Sequence, residues 1–227
     1  MSSINQLVSE LAHSVQQADS VPVRRALKLS IIHSRNELIR KSYDNNKVLD
    51  KVLQQRFRIS LIDVPDGDNT ISKDLPVGQI KRSTNKVPRP VRLSNGMPFN
   101  SVRTMGVEYP QSIAFVKEAV SNFYGSLPGM CSVATYDYIN EYIYIDTMRS
   151  KRLLDLGHII VESPFEYPHL IKTETQDGIL DINSIDDDDE FLLPEDMINA
   201  IKKLTLETFN PQVNRQTNEI PTPNLVK

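Results

Sequence analysis

Residues 55–63 read QRFRISLID, and this stretch decides the fold. Large apolar side chains alternate with polar ones from Arg56 to Leu61, which is typical of a strand with one buried face. The segments before it repeat apolar residues at helical spacing, and those after it are short and broken by turn residues. The stretch therefore marks the passage from helices to a sheet. Its apolar positions are Phe57, Ile59 and Leu61.

Two helices are predicted before this strand. Ser3 and Gln6 have the spacing of a capping box, and the apolar stripe that follows predicts a helix over about 4–17. Ser20 and Pro22 predict the start of a second helix that continues to about residue 55, with an interruption at Asp44-Asn45-Asn46. Its exposed face is expected to be basic, with Arg24, Arg25, Lys28, Arg35, Arg40, Lys41, Lys47 and Lys51.

The chain after the strand is rich in turn signals. The segment IKRSTNKVPRPVRL at 80–93 predicts an edge strand or an ordered loop, because its prolines cannot donate to a ladder. Asn95-Gly96 predicts a hairpin turn, and Pro110 predicts the start of a helix over QSIAFVKEAVSNFY. Leu193-Pro194-Glu195 predicts the start of the last helix. Three strands are predicted in between, at about 131–138, 141–147 and 157–163.

These elements predict an α+β fold, with an N-terminal helical arm, a small mostly antiparallel sheet and flanking helices. Short strands and frequent turns favour an antiparallel sheet over a doubly wound one. The C-terminal stretch has too few apolar residues to fold alone. The predicted segments are a helical arm at 1–55, a sheet-containing core at 56–193, a C-terminal helix at 194–209 and an extended tail at 210–227.

The charge is divided between the two halves of the chain. Residues 1–103 carry seventeen Lys and Arg against nine Asp and Glu, whereas residues 104–227 carry nine against twenty. The net charge of −3 thus hides a basic and an acidic half. Such a chain suits head-to-tail stacking, or contact with one acidic and one basic partner.

Histidine and cysteine do not indicate a metal or catalytic site. The histidines lack metal-ligand spacing, so we interpret them as packed or surface imidazoles. Cys131 has no basic residue near it in sequence, which favours a buried structural thiol over a nucleophile. A lone cysteine forms no disulfide within the chain, as expected for synthesis in a reducing cytoplasm. The histidines are His13, His33, His158 and His169.

Other chemical motifs are also missing from the sequence. The acidic run Asp186–Glu190 lacks the spacing and the glycine of a calcium-binding loop, so we interpret it as a solvated loop. Nucleotide-binding, serine-hydrolase and metalloprotease motifs do not occur. No run of about 18 apolar residues exists, and the N-terminus does not resemble a secretory signal. We expect a non-enzyme with no catalytic, cofactor-binding or metal-binding residues, no cofactor and no membrane contact.

Positive charge is densest between residues 81 and 92, within a stretch that has no acid between Asp74 and Glu108. This basic cluster suits either DNA or an acidic neighbour, and we favour the neighbour because the chain itself supplies an acidic half. Along the long helix, Glu37, Asp44 and Asp50 interrupt the basic face, which argues against a dedicated nucleic-acid groove. The cluster consists of Lys81, Arg82, Lys86, Arg89 and Arg92.

Three short motifs and the order of the segments carry a family resemblance. RSTNKVPRP at 82–90 is a basic, proline-containing stretch, FEYP at 165–168 is a turn after a strand, and PED at 194–196 starts a helix. With a long basic helix before them, they resemble the head-to-tail adaptor or tail tubular protein A family of short-tailed bacteriophages. The resemblance is greatest to the ring proteins of crAss-like phages, and it covers roughly residues 20–210.

The resemblance implies a virion structural protein of the phage neck. Such proteins form a homo-oligomeric ring, commonly dodecameric, between the portal and the tail, through which the genome passes. They have no cofactor, and their partners are the portal and other neck or tail proteins, with non-specific contact to the passing DNA. The implied location is the virion, after synthesis in the host cytoplasm.

We predict that exposed basic side chains make the contacts between subunits or with the channel. The alternative function is a nucleic-acid-binding protein, from a phage or a cell, that acts as a monomer or dimer. A hydrolase with an unrecognised site has the lowest weight. The candidate contact residues are Arg56, Arg58, Lys81, Arg82, Lys86, Arg89 and Arg92.

Overall fold

Helices and strands separate into two units in the computed structural model. One unit combines Met1–Asn45 with Asp186–Lys227, and the other is Asn46–Ile185. The helical unit is therefore built from both ends of the chain, with the sheet unit between them in sequence. The structure describes residues 3–65, 68, 80–105, 111–116, 134–147, 153, 155–168, 188 and 191–217.

The first helix, α1, spans Ile4–Ser14 and begins where the capping box predicts. The backbone N–H of Gln6 donates to Ser3 Oγ at 3.2 Å, which satisfies one of the free donors at the helix start. Gln16 has a φ of +58°, outside the helical region, so α1 ends earlier than residue 17. Its buried side chains are Ile4, Leu7, Val8, Leu11 and Ala12.

The second helix, α2, spans Val21–Asn46 and is interrupted where the sequence predicts. Lys47 adopts a φ of +56°, which ends the helix after the Asp-Asn-Asn stretch. A short 3-10 helix, Lys51–Leu53, follows, and Asp50 caps it by accepting the N–H of Val52 at 3.1 Å. The predicted continuation of α2 to residue 55 is therefore wrong.

Arg35 lies inside the helical unit, so its assignment to the exposed basic face of α2 is wrong. Its side chain is fully buried. Nε donates to the Leu192 carbonyl at 3.4 Å, Nη1 donates to Asn36 Oδ1 at 3.3 Å, and the guanidinium lies 5.8 Å from the centre of the Phe191 ring. Burial lowers the pKa of Arg35 to about 10, because the charged form loses its hydration.

The last helix, α3, spans Glu195–Thr217 and starts at the predicted residues. Its buried Thr205 donates to Ser34 of α2 at 3.2 Å, and Lys202 forms an ion pair with Glu10 of α1. The helix continues eight residues beyond Phe209, so residues 210–217, expected in an extended tail, are helical. Residues 218–227 lie outside the described residues.

The sheet unit confirms the α+β class. The described residues form a seven-stranded sheet in the order β3-β7-β1-β2-β6-β5-β4. The sheet is not small, and it is mixed, because β4 and β5 pair in parallel while the other ladders are antiparallel. The strands are β1 (Gln55–Asp63), β2 (Ile80–Ser83), β3 (Ser101–Thr104), β4 (Ala114–Phe115), β5 (Thr135–Ile139), β6 (Tyr142–Asp146) and β7 (His158–Ser163).

Strand β1 joins the two parts of this sheet. Its residues from Gln55 to Ser60 pair with β7, and those from Leu61 to Asp63 pair with β2. Phe57 and Ile59 are buried while Arg56 and Arg58 are exposed, as the alternation predicts. The stretch that marks the change of fold is therefore central to the sheet.

The sheet closes on itself through a short seam between its two end strands. Arg103 of β3 and Ser112 form an antiparallel bridge. On either side of the bridge, the N–H of Thr104 donates to Gln111 and the N–H of Ile113 donates to Val102, both at 2.9 Å. Along each strand, the side chain of every second residue faces the enclosed core. The core includes Phe57, Ile59, Leu61, Val102, Ile113, Tyr136, Ile143, Ile145, Ile159, Val161 and Phe165.

The predicted helix after Pro110 is wrong over the described part of its sequence. Ala114–Phe115 is strand β4, and the N–H groups of Ala114 and Val116 donate to the carbonyls of Ala134 and Tyr136 at 3.0 and 3.1 Å. Pairing with β5 thus overrides the helical spacing of the apolar residues. Residues 117–130 of that prediction lie outside the described residues.

The turn at Asn95-Gly96 is confirmed, but it does not connect a hairpin. Gly96 has a φ of +71°, and its N–H donates to the Leu93 carbonyl at 3.2 Å. The residues on either side of the turn, 91–93 and 97–99, are not strands. The basic segment after β2 is consequently an ordered loop.

Candidate functional site

The predicted basic cluster does not form a single patch. Lys81 and Arg82 are adjacent in β2 and so point to opposite faces of the sheet. Lys81 lies opposite Asp63 of β1, with its Nζ 3.7 Å from the carboxylate. Lys81 is only 12% exposed, so an external partner reaches little of it.

Arg82 belongs to a half-buried polar network. Its Nη1 donates to Asp68 Oδ2 at 2.6 Å, and Tyr144 Oη donates to the same oxygen at 2.9 Å. The guanidinium lies 4.5 Å from the centre of the Tyr142 ring, within range of a cation–π interaction. Burial lowers the pKa of Arg82, but the hydrogen bonds and charges of Asp68 and Tyr144 outweigh that effect and raise it. Arg82 therefore has a structural partner in its own unit.

Lys86 and Arg89 are brought together by one carboxylate that the sequence interpretation missed. Glu141 Oε1 accepts from Arg89 Nε at 2.8 Å, and Oε2 accepts from Lys86 Nζ at 3.2 Å. Hydrogen bonds from Lys86 and Arg89 hold the pKa of Glu141 below its ordinary value. Both cations are still 63% and 69% exposed, so they also present charge to solvent.

Glu141 reaches these cations because it lies in the tight turn of the β5–β6 hairpin. Asn140 and Glu141 have φ values of +52° and +69°, and Ile139 pairs with Tyr142. Positive φ at both central residues makes this a type I′ turn, which suits the twist of a two-residue hairpin. The carbonyl of Glu141 accepts the N–H of Val87 at 2.7 Å. The hairpin tip thus attaches the basic loop to the sheet.

Further hydrogen bonds hold the basic loop along the rest of its length. Tyr138 Oη donates to the Val87 carbonyl at 2.9 Å, and burial raises the pKa of this tyrosine to about 12. The N–H of Glu166 donates to the Arg89 carbonyl, and that of Val91 donates to Pro164. The motif at 82–90, which forms most of this loop, therefore lies beside the motif at 165–168 and is held to it by backbone hydrogen bonds.

Arg92 and the two arginines of β1 remain at the surface. Arg92 is exposed and makes no polar contact with the described part of the chain. Arg56 donates to Glu162 of β7 at 2.9 Å, and Arg58 is exposed on the same face of β1. Arg103, which the sequence interpretation did not single out, lies on this face as well. Only the strand register, which is not readable from the sequence, brings it there.

A groove of about 500 Å³ opens beside the seam between β3 and β4. Its lining includes Phe99, Tyr136, Met97, Phe115 and Arg103. Titratable side chains other than Arg103 and Tyr136 are absent from this lining, so it does not have the convergent acids and bases of an active site.

The structure places the remaining candidates separately. His13 and His33 are exposed, His158 is half-buried in β7, and His169 and Cys131 lie outside the described residues. Within the described ranges, no three His, Cys, Asp or Glu side chains group closely enough to hold a metal ion. Among the described helices, none combines the length and the apolar character needed to cross a membrane.

Comparison with known families decides the identity of the chain. The family model described as phage tail ring protein 2, from crAss-like phages, matches residues 4–223. The chain belongs to this family. The predicted resemblance to crAss-like phage ring proteins is thereby confirmed. A search of curated proteins finds no match.

Membership in the phage tail ring protein 2 family establishes the coarse function. The protein is a structural ring protein of a bacteriophage tail, and the family implies a component of the virion. A ring protein also implies association with copies of itself and with other tail proteins. The match covers the whole sheet unit, all but the first three and last four residues of the helical unit, and the motifs at 82–90, 165–168 and 194–196.

Proposed function

We propose that the protein forms a homo-oligomeric, dodecameric ring in the head-to-tail connector of the phage, where it joins the portal to the tail. The observation that carries this proposal is the match of nearly the whole chain to a tail ring family. The proposed role is to build the wall of the passage through which the genome leaves the head. It needs no cofactor and no catalytic step, so we propose a non-enzyme.

The sheet unit supports a role as a rigid wall element. Its sheet closes through the β3–β4 seam, and the basic loop is attached to it by Glu141 and Tyr138. Because interiors of this kind are close-packed, the unit transmits force with little deformation. A unit of this kind suits the proposed wall of the genome passage.

The surface charges support contacts with both protein and DNA. We propose that Arg56, Arg58, Lys86, Arg89 and Arg92 contact neighbouring subunits or the channel, because they are exposed. Lys81 and Arg82 act mainly inside the sheet unit, since each faces an acid of its own chain. Contact with the passing DNA is non-specific, because arginine and lysine then meet only phosphates. The protein is synthesised in the host cytoplasm and incorporated in the neck of the virion.

Electron microscopy and mass measurement test this proposal. The purified protein, or the protein within particles, is expected to form rings of uniform subunit number, and labelled protein is expected at the junction of head and tail. A monomer or dimer with steeply salt-dependent affinity for DNA would instead favour the nucleic-acid-binding alternative. Label at the distal tail alone would contradict the connector position and leave the ring intact.

A further inference from the structure

The seam between β3 and β4 is short. Between the described residues of its two sides, Thr104 of β3 donates to Gln111, and Ile113 donates to Val102 of β3, both at 2.9 Å. In an antiparallel pair such bonds recur at every second residue, so a longer seam would continue past Val102 toward the start of β3. The backbone hydrogen bonding instead stops at Val102.

Two backbone N–H groups lie at the end of this seam without an acceptor. Val102 accepts from Ile113 through its carbonyl, and its N–H points to the same side, toward β4. Ala114 and Val116 donate to β5, so the N–H of Phe115 between them points the other way, toward β3. Within the described residues, neither of these two N–H groups forms a hydrogen bond. Unpaired strand edges of this kind are sites where another strand can pair.

The groove beside the seam lies where the two strands part. Residues 100–102 line one side of it, and residues 113–115 line the other. The buried aromatic residues Phe99 and Tyr136 also contribute to the lining, and Met97 beside them is 49% exposed. The groove therefore combines apolar surface with open backbone donors.

An extended protein segment fits this combination. In β-strand addition, main-chain hydrogen bonds hold the added strand to an open edge, and pockets receive its alternate side chains. Arg103 contributes a charge preference, because its Nε donates to Ser101 Oγ at 2.6 Å while its terminal amino groups make no polar contact with the described residues. A carboxylate suits these amino groups. DNA is matched poorly, because Arg103 is the single cation in this lining and a phosphate backbone needs several.

A second copy of the chain is the occupant that a ring provides. The family implies that copies of the protein associate. In a cyclic ring larger than a dimer, each subunit binds a different surface of the next subunit, so a groove on one copy meets a donor segment on its neighbour. Groove and donor are then present in equal numbers, whereas a different tail protein fills every groove only if its own copy number matches.

We propose that the groove of one copy holds an extended segment of a second copy, which pairs with the open strand edges at Val102 and Phe115. Carbonyl groups of the segment accept from these two N–H groups. An apolar side chain of the segment contacts Met97 and the aromatic lining, and a carboxylate binds Arg103. This inference rests on the proposed ring and assigns it a specific contact.

Hydrogen exchange at the two unpaired N–H groups tests the strand pairing. The comparison is between rings of the parent and the variant Ser112→Trp, which places a large side chain at an exposed position of the groove lining. Exchange at the N–H groups of Val102 and Phe115 is expected to be at least about tenfold slower in the rings. Thr104 and Ile113, whose N–H groups are already bonded within the sheet, are the internal controls and are expected to exchange equally in both samples.

Matched variants test whether the groove and its charge are needed for assembly. Native mass spectrometry gives the protein concentration at which half of the chains are in rings, and Ser112→Trp and Arg103→Glu are each expected to raise it at least about tenfold. Gln111→Trp, at an exposed position outside the lining, and Lys51→Glu, at another exposed cation of the sheet unit, are expected to assemble like the parent. Circular dichroism and thermal unfolding of every variant establish that the fold is kept.

A photoreactive residue identifies what occupies the groove. When p-benzoylphenylalanine replaces Met97, irradiation of the rings is expected to link two copies of the chain. Mass spectrometry of the linked peptides then identifies the donor segment.

The outcomes separate this contact from the ring. Normal assembly of Ser112→Trp, or rings without a link between copies at position 97, overturns the contact and leaves the ring intact. Loss of assembly with unchanged exchange at the N–H of Phe115 overturns the strand pairing. A link formed in phage particles to a different tail protein alone overturns the second copy as the occupant. A parent protein that stays monomeric under all conditions contradicts the proposed ring itself.

Discussion

At the scale of single residues, the basic side chains divide into structural and surface groups by the acids they meet. Arg82 lies against Asp68, whose side chain is 6% exposed, whereas Arg92 is at the surface. Both arginines lie in the same basic stretch of sequence, so charge alone does not separate them. The burial of the acidic partner separates them, because a carboxylate that loses its cation is costly only where water cannot take the place of the cation.

Replacing Arg82 by alanine is expected to destabilise the sheet unit by about 2 kcal/mol, because Asp68 then keeps its charge in a mostly buried position with fewer donors. The control, Arg92→Ala, is expected to change the stability by less than about 0.5 kcal/mol. Urea unfolding measures both. Equal effects from the two substitutions would mean that Asp68 gains water or another donor when Arg82 is lost.

Glu141→Gln is expected to weaken the pH dependence of stability. The folded-state pKa of Glu141 is lowered by Lys86 and Arg89, so its carboxylate stabilises the fold at pH values above the ordinary glutamate pKa. That contribution is lost as the pH falls through the lowered value. The parent is therefore expected to exceed the variant in thermal stability at pH 6, with the difference shrinking below about pH 4. Glu207→Gln, in the helical unit, is the control, and a pH-independent difference would contradict the assignment.

At the scale of elements, the β5–β6 hairpin determines where the basic loop lies. Its two-residue turn places Glu141 against the loop, and the register Ile139 to Tyr142 leaves no freedom in the turn length. Neither turn residue is glycine, although both have positive φ. The conformation is maintained by the contacts of the turn and by its flanking strands.

Asn140→Val is expected to destabilise the hairpin by about 1–2 kcal/mol, because a β-branched residue fits poorly at a φ of +52°. Asn140→Gly adopts that conformation readily and is expected to have little effect. Chemical denaturation compares the two with the parent. If valine is tolerated as well as glycine, the turn changes type, and hydrogen exchange at the N–H of Val87 would report the altered contact.

The sequence predicted elements whose signals are local. The capping residue Ser3, the interruption after Asp44 and the alternation around Ile59 act within a few residues, and all are confirmed. The sequence predicts Ala114 and Phe115 as helical, because their pairing with β5 depends on residues twenty-one positions away. Arg35 was predicted at the surface, because no local rule signals that a cation is buried.

The candidate contact residues were predictable only as a set of charges. The sequence identified the basic loop but not Glu141, whose turn lies more than fifty residues away from Arg89. Arg103 was missed for the same reason, since it joins Arg58 only through pairing of both strands with β7. Strand register is determined by the whole sheet, and it decides which charges share a surface.

At the scale of the whole molecule, the division of charge is expected to make assembly sensitive to salt. Electrostatic screening shortens from about 10 Å at 0.1 M salt to about 3 Å at 1 M, so contacts between basic and acidic surfaces weaken as salt rises. Light scattering of the purified protein is expected to show rings at low salt and smaller species at high salt. Rings of unchanged mass at 1 M salt would indicate apolar contacts instead, and the exposed Val48 and Met97 would then be the first residues to substitute.

The origin of the helical unit from both chain ends has a consequence for synthesis on the ribosome. α1 and α2 emerge first, but α3, which completes their unit, begins only at Glu195. Strand β1 likewise cannot pair with β7 until β7 has been synthesised, about 95 residues later. At 5–20 residues per second, the delay before this pairing is about 5–20 s. During that interval the edge of β1 is open to wrong pairing. Pulse proteolysis of stalled nascent chains is expected to detect a protected sheet unit before a protected helical unit, so that the segment made first is the last to fold.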